Sequence, residues 1–577
     1  MVPPYLQFDF TQNLGKENAV IFSNPVDIIT TNIPDEVLLC LEEVKKAVNN
    51  GFYAAGFVSY EASYPLFQLK KNMATDFPLL WFGIFRQPSF RPLHNTRSDY
   101  SIDEWKMKID KETYLKNVND ILKQIHSGKI DQVNYTVPFE AGFNGDSFSY
   151  YERLKRAQRA KYCAYLRFDN FDVLSLSPEL FFAVSDQTVT LKPMKGTIAR
   201  GKSYEEDVNN RKRLAQSIKN KMENDMIATM MQKELERIAD DTQLSERCQI
   251  EKYPTVYQLT STIQGKLKRG IDAVEVFKAI FPSGSITGLP KRESIELIAN
   301  YENEARGVYC GAIGYFTPQG EAMFNVPIRT LTIDKKTKIA RYFAGGGITA
   351  RSKPLEEFHE MLTKTKILTT YDRPFQLLET MLLENGEIFL ETYHVNRLQR
   401  SADYFDIPFR LDDVKNHLFE LKRAGLKGKW RIRLLVDING NVTLEREPLK
   451  PLMKRAVLLA KKPIDSKNVF LYHKTTERTV FESFREQLPG DALDMLLWNE
   501  LGEITEFTIG NVVIQKDGEL FTPPVSSGLL PGTFRQYLLD RGKIKERKLY
   551  IEDLQNIDKM WLINSVRKWV KVDLKTE

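Results

Sequence analysis

Short apolar runs broken by turn residues dominate the first hundred positions. They predict strands at Ala19–Phe22 and Phe52–Tyr60. A 3.6-residue period predicts a helix over Lys111–Ile125, and runs at Gln132–Phe139 and Val173–Leu176 predict strands. From Tyr204 to Asp240 the chain is helical in character, with Met222, Met226, Ile227, Met230, Met231, Leu235 and Ile238 recurring at helical spacing. Strands are expected at Gly311–Phe316, Ala322–Ile328 and Ile339–Phe343. A helix is expected over Pro354–Ile367, its proline suited to the first turn.

The pattern changes near Thr369–Pro374. A new unit starts at Phe375 with strands, a turn at Asn385-Gly386 and a helix from His394. This predicts two domains, 1–370 and 371–577.

Composition is ordinary for a globular protein: of 577 residues, 42% are hydrophobic and 27% charged, which excludes collagen-like and disordered classes. The net charge of +6 is spread along the chain, which gives no argument for nucleic acid. Four separated cysteines without CxxC, and six histidines without HxxxH, argue against a disulfide framework or a zinc site. No secretory signal and no apolar run of ~18 residues are seen, so a cytoplasmic protein without a membrane span is the expectation.

Four segments of the first part carry candidate chemistry: Ser177-Pro178-Glu179, Pro193-Met194-Lys195-Gly196-Thr197, Glu223-Asn224-Asp225, and Gly345-Gly346-Gly347 running on to Glu357 and Glu360. Glu357 and Glu360 share a face of the predicted helix, and Glu223 lies on another. Carboxylates with water are what Mg²⁺ prefers, some ligands being left to an anionic substrate. The glycines, expected at a turn leading into the helix, let backbone N–H groups approach an anion. Read singly, a solvated acidic helix face beside a tight turn explains the same residues. Lys195, expected beside a Gly-Thr turn, is either solvated or, if buried, a nucleophile of lowered pKa.

Together with Gln132-Val133-Asn134, Gln258-Leu259-Thr260-Ser261-Thr262, Phe281-Pro282-Ser283-Gly284-Ser285-Ile286-Thr287-Gly288, Tyr309-Cys310-Gly311-Ala312-Ile313-Gly314-Tyr315 and Ile328-Arg329-Thr330, these segments resemble the chorismate-utilising enzymes over roughly residues 50–368. That family includes anthranilate, aminodeoxychorismate and isochorismate synthases. The resemblance implies that Glu223 and Glu360, helped by Glu357, hold Mg²⁺. It implies that Arg329, Gly346 and Gly347 bind substrate carboxylates, that Glu179 protonates the departing 4-hydroxyl, and that Thr287 lines the pocket. Lys195 resembles the nucleophile of aminodeoxychorismate synthases, where anthranilate synthases have alanine. Isochorismate-forming relatives carry a lysine base where this chain has Gln132, so water activation is disfavoured here. Gln258 replaces a histidine of many relatives, which puts any acid–base role there in doubt. No cysteine stands in a Gly-x-Cys-x-Gly context, so ammonia is expected from a separate glutamine amidotransferase subunit or free in solution.

In the second part, His394-Val395-Asn396-Arg397, His473-Lys474-Thr475-Thr476-Glu477-Arg478, the stretch to Glu506, and Gly532-Thr533 could singly be surface pairs and caps. As a set, over about residues 373–570, they resemble fold-type IV pyridoxal-phosphate (PLP) enzymes. The resemblance implies that Lys474 carries PLP as a Schiff base, that Glu506 pairs with the pyridine nitrogen, and that Arg397 with Gly532-Thr533 holds the phosphate. Phe481 stands where the family commonly has an aromatic hydroxyl. Asn564-Ser565-Val566-Arg567 resembles the lyase pattern, with Arg567 for a substrate carboxylate and Thr380 as an assisting acid. PLP sites of this type often lie near a subunit interface, which makes a homodimer through this unit plausible.

The expected fold is α+β: a β-sandwich with surrounding helices of the chorismate-enzyme kind, then a PLP domain of two α/β subdomains. The expected function is bifunctional: chorismate to 4-amino-4-deoxychorismate, then PLP-dependent loss of pyruvate to 4-aminobenzoate, for folate biosynthesis. Two alternatives stay open. One is an anthranilate synthase component I fused to a class IV aminotransferase; the other is a non-enzymatic binding protein keeping these folds.

Overall fold

The computed structural model describes residues 3–11, 19–69, 76–90, 98–368 and 375–575. The expected junction at Thr369–Pro374 lies outside them. The chain divides into two compact units: Met1–Ala199 with Arg213–Asp372, and Arg200–Lys212 with Arg373–Glu577. Among the described residues, no helix is long and apolar enough to cross a membrane.

The first unit is mixed α/β, with two ten-stranded sheets. Gln132–Gly145 pairs antiparallel with Ile339–Thr349 in one sheet, and Met194–Ala199 pairs with Val256–Leu267 in the other. One core cluster draws residues from both sheets, Phe8 and Val173 from the first, Phe57 and Tyr315 from the second. The Phe8 and Tyr315 rings meet edge to face at 5.3 Å. Helices begin where short polar side chains satisfy free N–H groups: Asp110 caps Lys111–His126 and Asp272 caps Ala273–Ile280.

The helical stretch expected from Tyr204 to Asp240 is two helices, Tyr204–Gln216 and Ile218–Leu235. Ser217 accepts from Asn220 N and starts the second. From Ala239 the chain pairs as a strand with Val256–Leu267. The apolar residues do not form one face. Ile227, Met231 and Leu235, spaced by four, are buried, and each burial contributes about 2 kcal/mol. Met222 and Met226 are 58% and 37% exposed. Glu223 continues the buried row by one turn, and so faces inward.

The second unit holds a four-stranded and an eight-stranded sheet. Leu377–Glu384 and Lys429–Val436 pair antiparallel in the smaller one, and helix Glu391–Phe405 packs against Leu377–Glu384. In the larger one, Ala456–Leu459 pairs parallel with both Asp494–Trp498 and Lys568–Lys575. Residues Arg200–Lys212 are part of this unit: Arg200 and Asp207 form a buried pair at 2.6 Å, and the Tyr404 hydroxyl donates to Gly201 O.

Candidate functional sites

A cavity of about 200 Å³ in the first unit brings together Glu179, Lys195, Glu223, Arg329, Gly346, Gly347, Glu357 and Glu360. The three glycines are not a turn before a helix: they lie inside strand Ile339–Thr349, opposite Thr136, Tyr135 and Asn134. The helix starts later, at Pro354. Their small size is required by close approach. A Cβ on Gly345 would lie 2.1 Å from Tyr135 O, and one on Gly347 would lie 2.1 Å from Lys195 Nζ. Lys195 likewise sits in a strand, Met194–Ala199, not beside a turn.

Lys195 is held from behind, because Asn224 donates to its carbonyl oxygen at 3.0 Å. Its Nζ makes no hydrogen bond among the described residues. Burial lowers its pKa from the usual lysine value, with Lys364 adding to the effect and Glu223 opposing it. Glu179 is buried, receives Ser285 Oγ at 2.6 Å and Met194 N at 3.4 Å, and is pushed by burial up to about 7. One cavity therefore holds an amine whose ammonium form burial disfavours and a carboxyl that is partly protonated near pH 7.

Arg329 has a left-handed φ of 52°, a conformation a non-glycine residue holds at some cost. Its guanidinium is buried, and burial lowers its pKa. It donates to Gln158 Oε1 at 3.2 Å, and no carboxylate pairs with it among the described residues. An unneutralised buried guanidinium at a cavity wall suits an anionic ligand.

Glu357 Oε2 and Glu360 Oε1 lie 3.3 and 3.9 Å from the point where a Gly346 Cβ would stand. Lys364 pairs with Glu360 at 2.9 Å and pulls its pKa down, whereas burial raises that of Glu357. Among the described residues no cluster of three metal-ligating side chains exists, so Glu223 does not close a cage with the other two. Two converging carboxylates still fit Mg²⁺, which normally takes one or two protein carboxylates and completes its shell with water and substrate.

Two expected residues stand differently. Thr287 is fully buried, its hydroxyl spent on Ser283 O at 3.0 Å, and it does not line the cavity. Gln132 is buried behind Gly347, where a Cβ would meet its Nε2 at 3.1 Å, and both its polar side-chain atoms lack partners among the described residues. Ser285 and Lys364 were not singled out from sequence. Ser285 lay inside a quoted motif, and Lys364 follows Glu360 by four, the spacing of a helical ion pair.

A cavity of about 400 Å³ in the second unit is lined by Lys474, Glu506, Arg397, Thr380, Gly532, Thr533 and Arg567. Lys474 Nζ makes no hydrogen bond among the described residues. Burial, with Arg478 and Arg397 nearby, lowers its pKa to about 7. Glu506 accepts from Leu530 N at 3.0 Å and Asn511 Nδ2 at 3.2 Å, and burial raises it to about 8. Gly532 leads into helix Thr533–Asp540, and a Cβ there would lie 2.0 Å from Asn511 Oδ1. An amine without a hydrogen bond, a buried carboxyl without an ion pair among the described residues, and a cradle that a Cβ would fill are a donor set that fits PLP.

Arg397 is less free than the sequence suggests. Its Nε and Nη2 donate to Glu379 at 2.9 and 2.6 Å, and its Nη1 to Pro531 O at 3.3 Å. His394 joins the same carboxylate at 2.6 Å. Burial alone would raise Glu379; Arg397 and His394 outweigh it and hold it at about 2. Glu379 orients Arg397 toward the cavity. The three-residue spacing of His394 and Arg397 on one helix face was the available signal for such a buried acid. Phe481 lines the cavity 4.5 Å beneath the Arg478 guanidinium.

Residues 7–370 match the profile of the chorismate binding enzyme family, and residues 376–574 that of amino-transferase class IV. Over 262 residues the chain is 35% identical to aminodeoxychorismate synthase component 1 of Klebsiella aerogenes, covering 45% of this chain and 58% of the relative. It is 33% identical over 274 residues to anthranilate synthase component 1 of Saccharolobus solfataricus, covering 47% and 65%. These matches thus span about three fifths of those relatives' length. The crystal structure of anthranilate synthase component I from Streptococcus pneumoniae superimposes with a TM-score of 0.53 at 21% identity, over 64% of this chain and 91% of that one, which shows the fold alone.

Proposed function

We propose, for a chain that belongs to the chorismate binding enzyme family and continues into a class IV aminotransferase unit, that it makes 4-aminobenzoate from chorismate in two steps. The observation that carries this reading is Lys195: a buried amine without a hydrogen-bond partner among the described residues, touching Gly347, in the same cavity as Glu179 and Arg329. An anthranilate synthase has no use for an amine there.

In the first step Arg329 and the backbone of Gly346 and Gly347 bind the substrate carboxylates. Lys195 Nζ forms a bond to C2 while the C4–O bond breaks, and Glu179 gives its proton so that the hydroxyl leaves as water. Ammonia then bonds to C4, the C2–N bond breaks, and Lys195 is regenerated. One difficult substitution becomes two easier ones. Mg²⁺ held by Glu357 and Glu360, with Glu223 lining the same cavity, would neutralise the ring carboxylate. Ammonia comes from a separate glutaminase subunit in this reading.

In the second step PLP, held by Lys474, Glu506, Arg397 and the Gly532-Thr533 turn, would supply an electron sink. Lys474, its amine half neutral near pH 7, takes the proton at C4. Thr380 protonates the leaving enolpyruvyl group, and pyruvate departs as the ring aromatises. The finer architecture belongs to the same reading: sheets packed as a sandwich in the first unit, two α/β subdomains and a homodimer for the second. So does a reducing cytoplasmic compartment, in keeping with free Cys40, Cys163, Cys248 and Cys310.

The first step is tested by its pH profile. Glu179 is protonated below about 7 and cannot donate above it. The rate of chorismate consumption should fall about tenfold per unit above pH 7. Glu179→Gln should lose that limb and about 10²–10⁴-fold in rate at pH 6. An unchanged limb in the variant would remove Glu179 from the acid role.

A further inference from the structure

We infer that the segment Arg200–Lys212 is a working part of the second unit's site: its Lys202 carbonyl fixes the ring of His473, and His473 positions Lys474. The inference rests on Lys474 as the reactive amine of the two-step reading and adds to it the residues that aim that amine.

The segment follows directly on strand Met194–Ala199. It is chain from the middle of the first unit's sequence, yet it packs as part of the second unit. Arg200 anchors it. The Arg200 Nε and Nη2 donate to Asp207 at 2.6 and 2.8 Å, and Nη2 also donates to Tyr404 O at 2.9 Å. The guanidinium lies 4.4 Å over the Tyr404 ring. Gly201 is held at both of its polar groups: its N donates to Asp207 Oδ1 at 2.9 Å, and its O accepts from the Tyr404 hydroxyl at 2.7 Å. The backbone entering Lys202 is thereby fixed.

His473 meets that backbone. Its Nε2 lies 3.1 Å from Lys202 O, and its Nδ1 lies 3.1 Å from Ser401 Oγ. A carbonyl only accepts, so Nε2 carries the proton and Nδ1 accepts from Ser401. Burial holds His473 well below the usual histidine value, at about 4, so the ring is neutral and this one tautomer satisfies both partners. The Tyr404 and Phe405 rings pack against it at 4.2 and 4.9 Å. His473 lines the Lys474 cavity and also a neighbouring one of about 780 Å³, whose wall includes Ser203, Tyr204 and Glu205 of the segment.

The next residue is Lys474. Its carbonyl accepts from Leu378 N at 2.9 Å, and Thr475 bridges to Leu377. The chain at and after Lys474 is thus tied to strand Leu377–Glu384, and the residue before it is tied, through its ring, to the segment. Because Lys474 Nζ makes no hydrogen bond among the described residues, the direction of the amine is set by backbone and packing, which these ties fix.

The test is steady-state kinetics of the full chain, loaded with PLP, on 4-amino-4-deoxychorismate, with chorismate consumption followed in the same preparations. His473→Phe keeps a ring against Tyr404 and removes both nitrogens. It should lower kcat of the second step about 10- to 100-fold, with KM within about twofold and chorismate consumption unchanged. A readout without turnover is the visible absorbance that forms as PLP is added to the cofactor-free chain; it should grow about tenfold more slowly in His473→Phe. His473→Gln, which returns an N–H at the place of Nε2, should recover part of both losses. Tyr404→Phe, which frees Gly201 O, should lower kcat too and add little to His473→Phe, because both act through one segment. A kcat and a loading rate within about twofold of wild type in His473→Phe and Tyr404→Phe would overturn the positioning role, as would equal losses in His473→Phe and His473→Gln. If His473→Phe also loses chorismate consumption it has lost its fold, and Tyr404→Phe decides: a lowered kcat supports the role and an unchanged one overturns it. Wild-type chain that takes up no PLP, or does not consume the substrate, would overturn the two-step reading and the positioning role with it; wild-type turnover with unaffected variants would overturn the positioning role alone.

Discussion

Lys195→Ala is expected to abolish formation of 4-amino-4-deoxychorismate, with a loss of at least about 10³-fold. The physical reason is specific. Burial of Lys195 disfavours its ammonium form, and no hydrogen bond occupies its Nζ. In the proposed first step the side chain serves as a nucleophile and not as half of an ion pair. Removing it frees space above Gly347 and leaves Glu179, Arg329 and the carboxylate pair in place, so chorismate should still bind. Ammonia then has C2 open to direct attack, and 2-aminobenzoate is the expected replacement product. Mass analysis of the aromatic products checks this. Wild-type output of the 4-amino product from the variant would refute the nucleophile.

Lys474→Ala should leave the first step intact and stop the second, so that 4-amino-4-deoxychorismate accumulates. The loss of 4-aminobenzoate should again be at least about 10³-fold, because in the proposed second step one amine both anchors the cofactor and moves the proton. The pKa of about 7 explains why this amine can accept a proton at neutral pH. The variant should also lose the visible absorbance of bound PLP. Normal 4-aminobenzoate output from it would remove the lyase assignment.

Much of both sites was legible in the sequence because each reactive side chain lies inside a short contiguous motif. Glu179, Lys195, Arg329, Glu357 and Glu360 meet in one cavity, and Lys474, Glu506 and Arg397 meet in another. Secondary structure around them was less legible. A glycine triplet reads locally as a turn; only pairing with Asn134, Tyr135 and Thr136, about two hundred residues earlier, makes it a strand. Met222 and Met226 share the helical spacing of Ile227, Met231 and Leu235 yet stand exposed, because periodicity cannot tell which of two apolar rows is covered. Glu379 escaped notice for a similar reason: its partners His394 and Arg397 lie on a neighbouring helix, which no local pattern encodes. Thr287 shows the reverse, a residue inside a family motif whose hydroxyl is spent within its own turn.

The central claim, that one chain carries both steps, is tested most directly by product analysis of a single incubation. Purified wild-type protein is mixed with chorismate, ammonium, Mg²⁺ and PLP, without a glutaminase, and products are identified by chromatography and mass. The account predicts 4-aminobenzoate and pyruvate in equal amounts. Accumulated 4-amino-4-deoxychorismate without pyruvate, or 2-aminobenzoate in place of the 4-isomer, would contradict it.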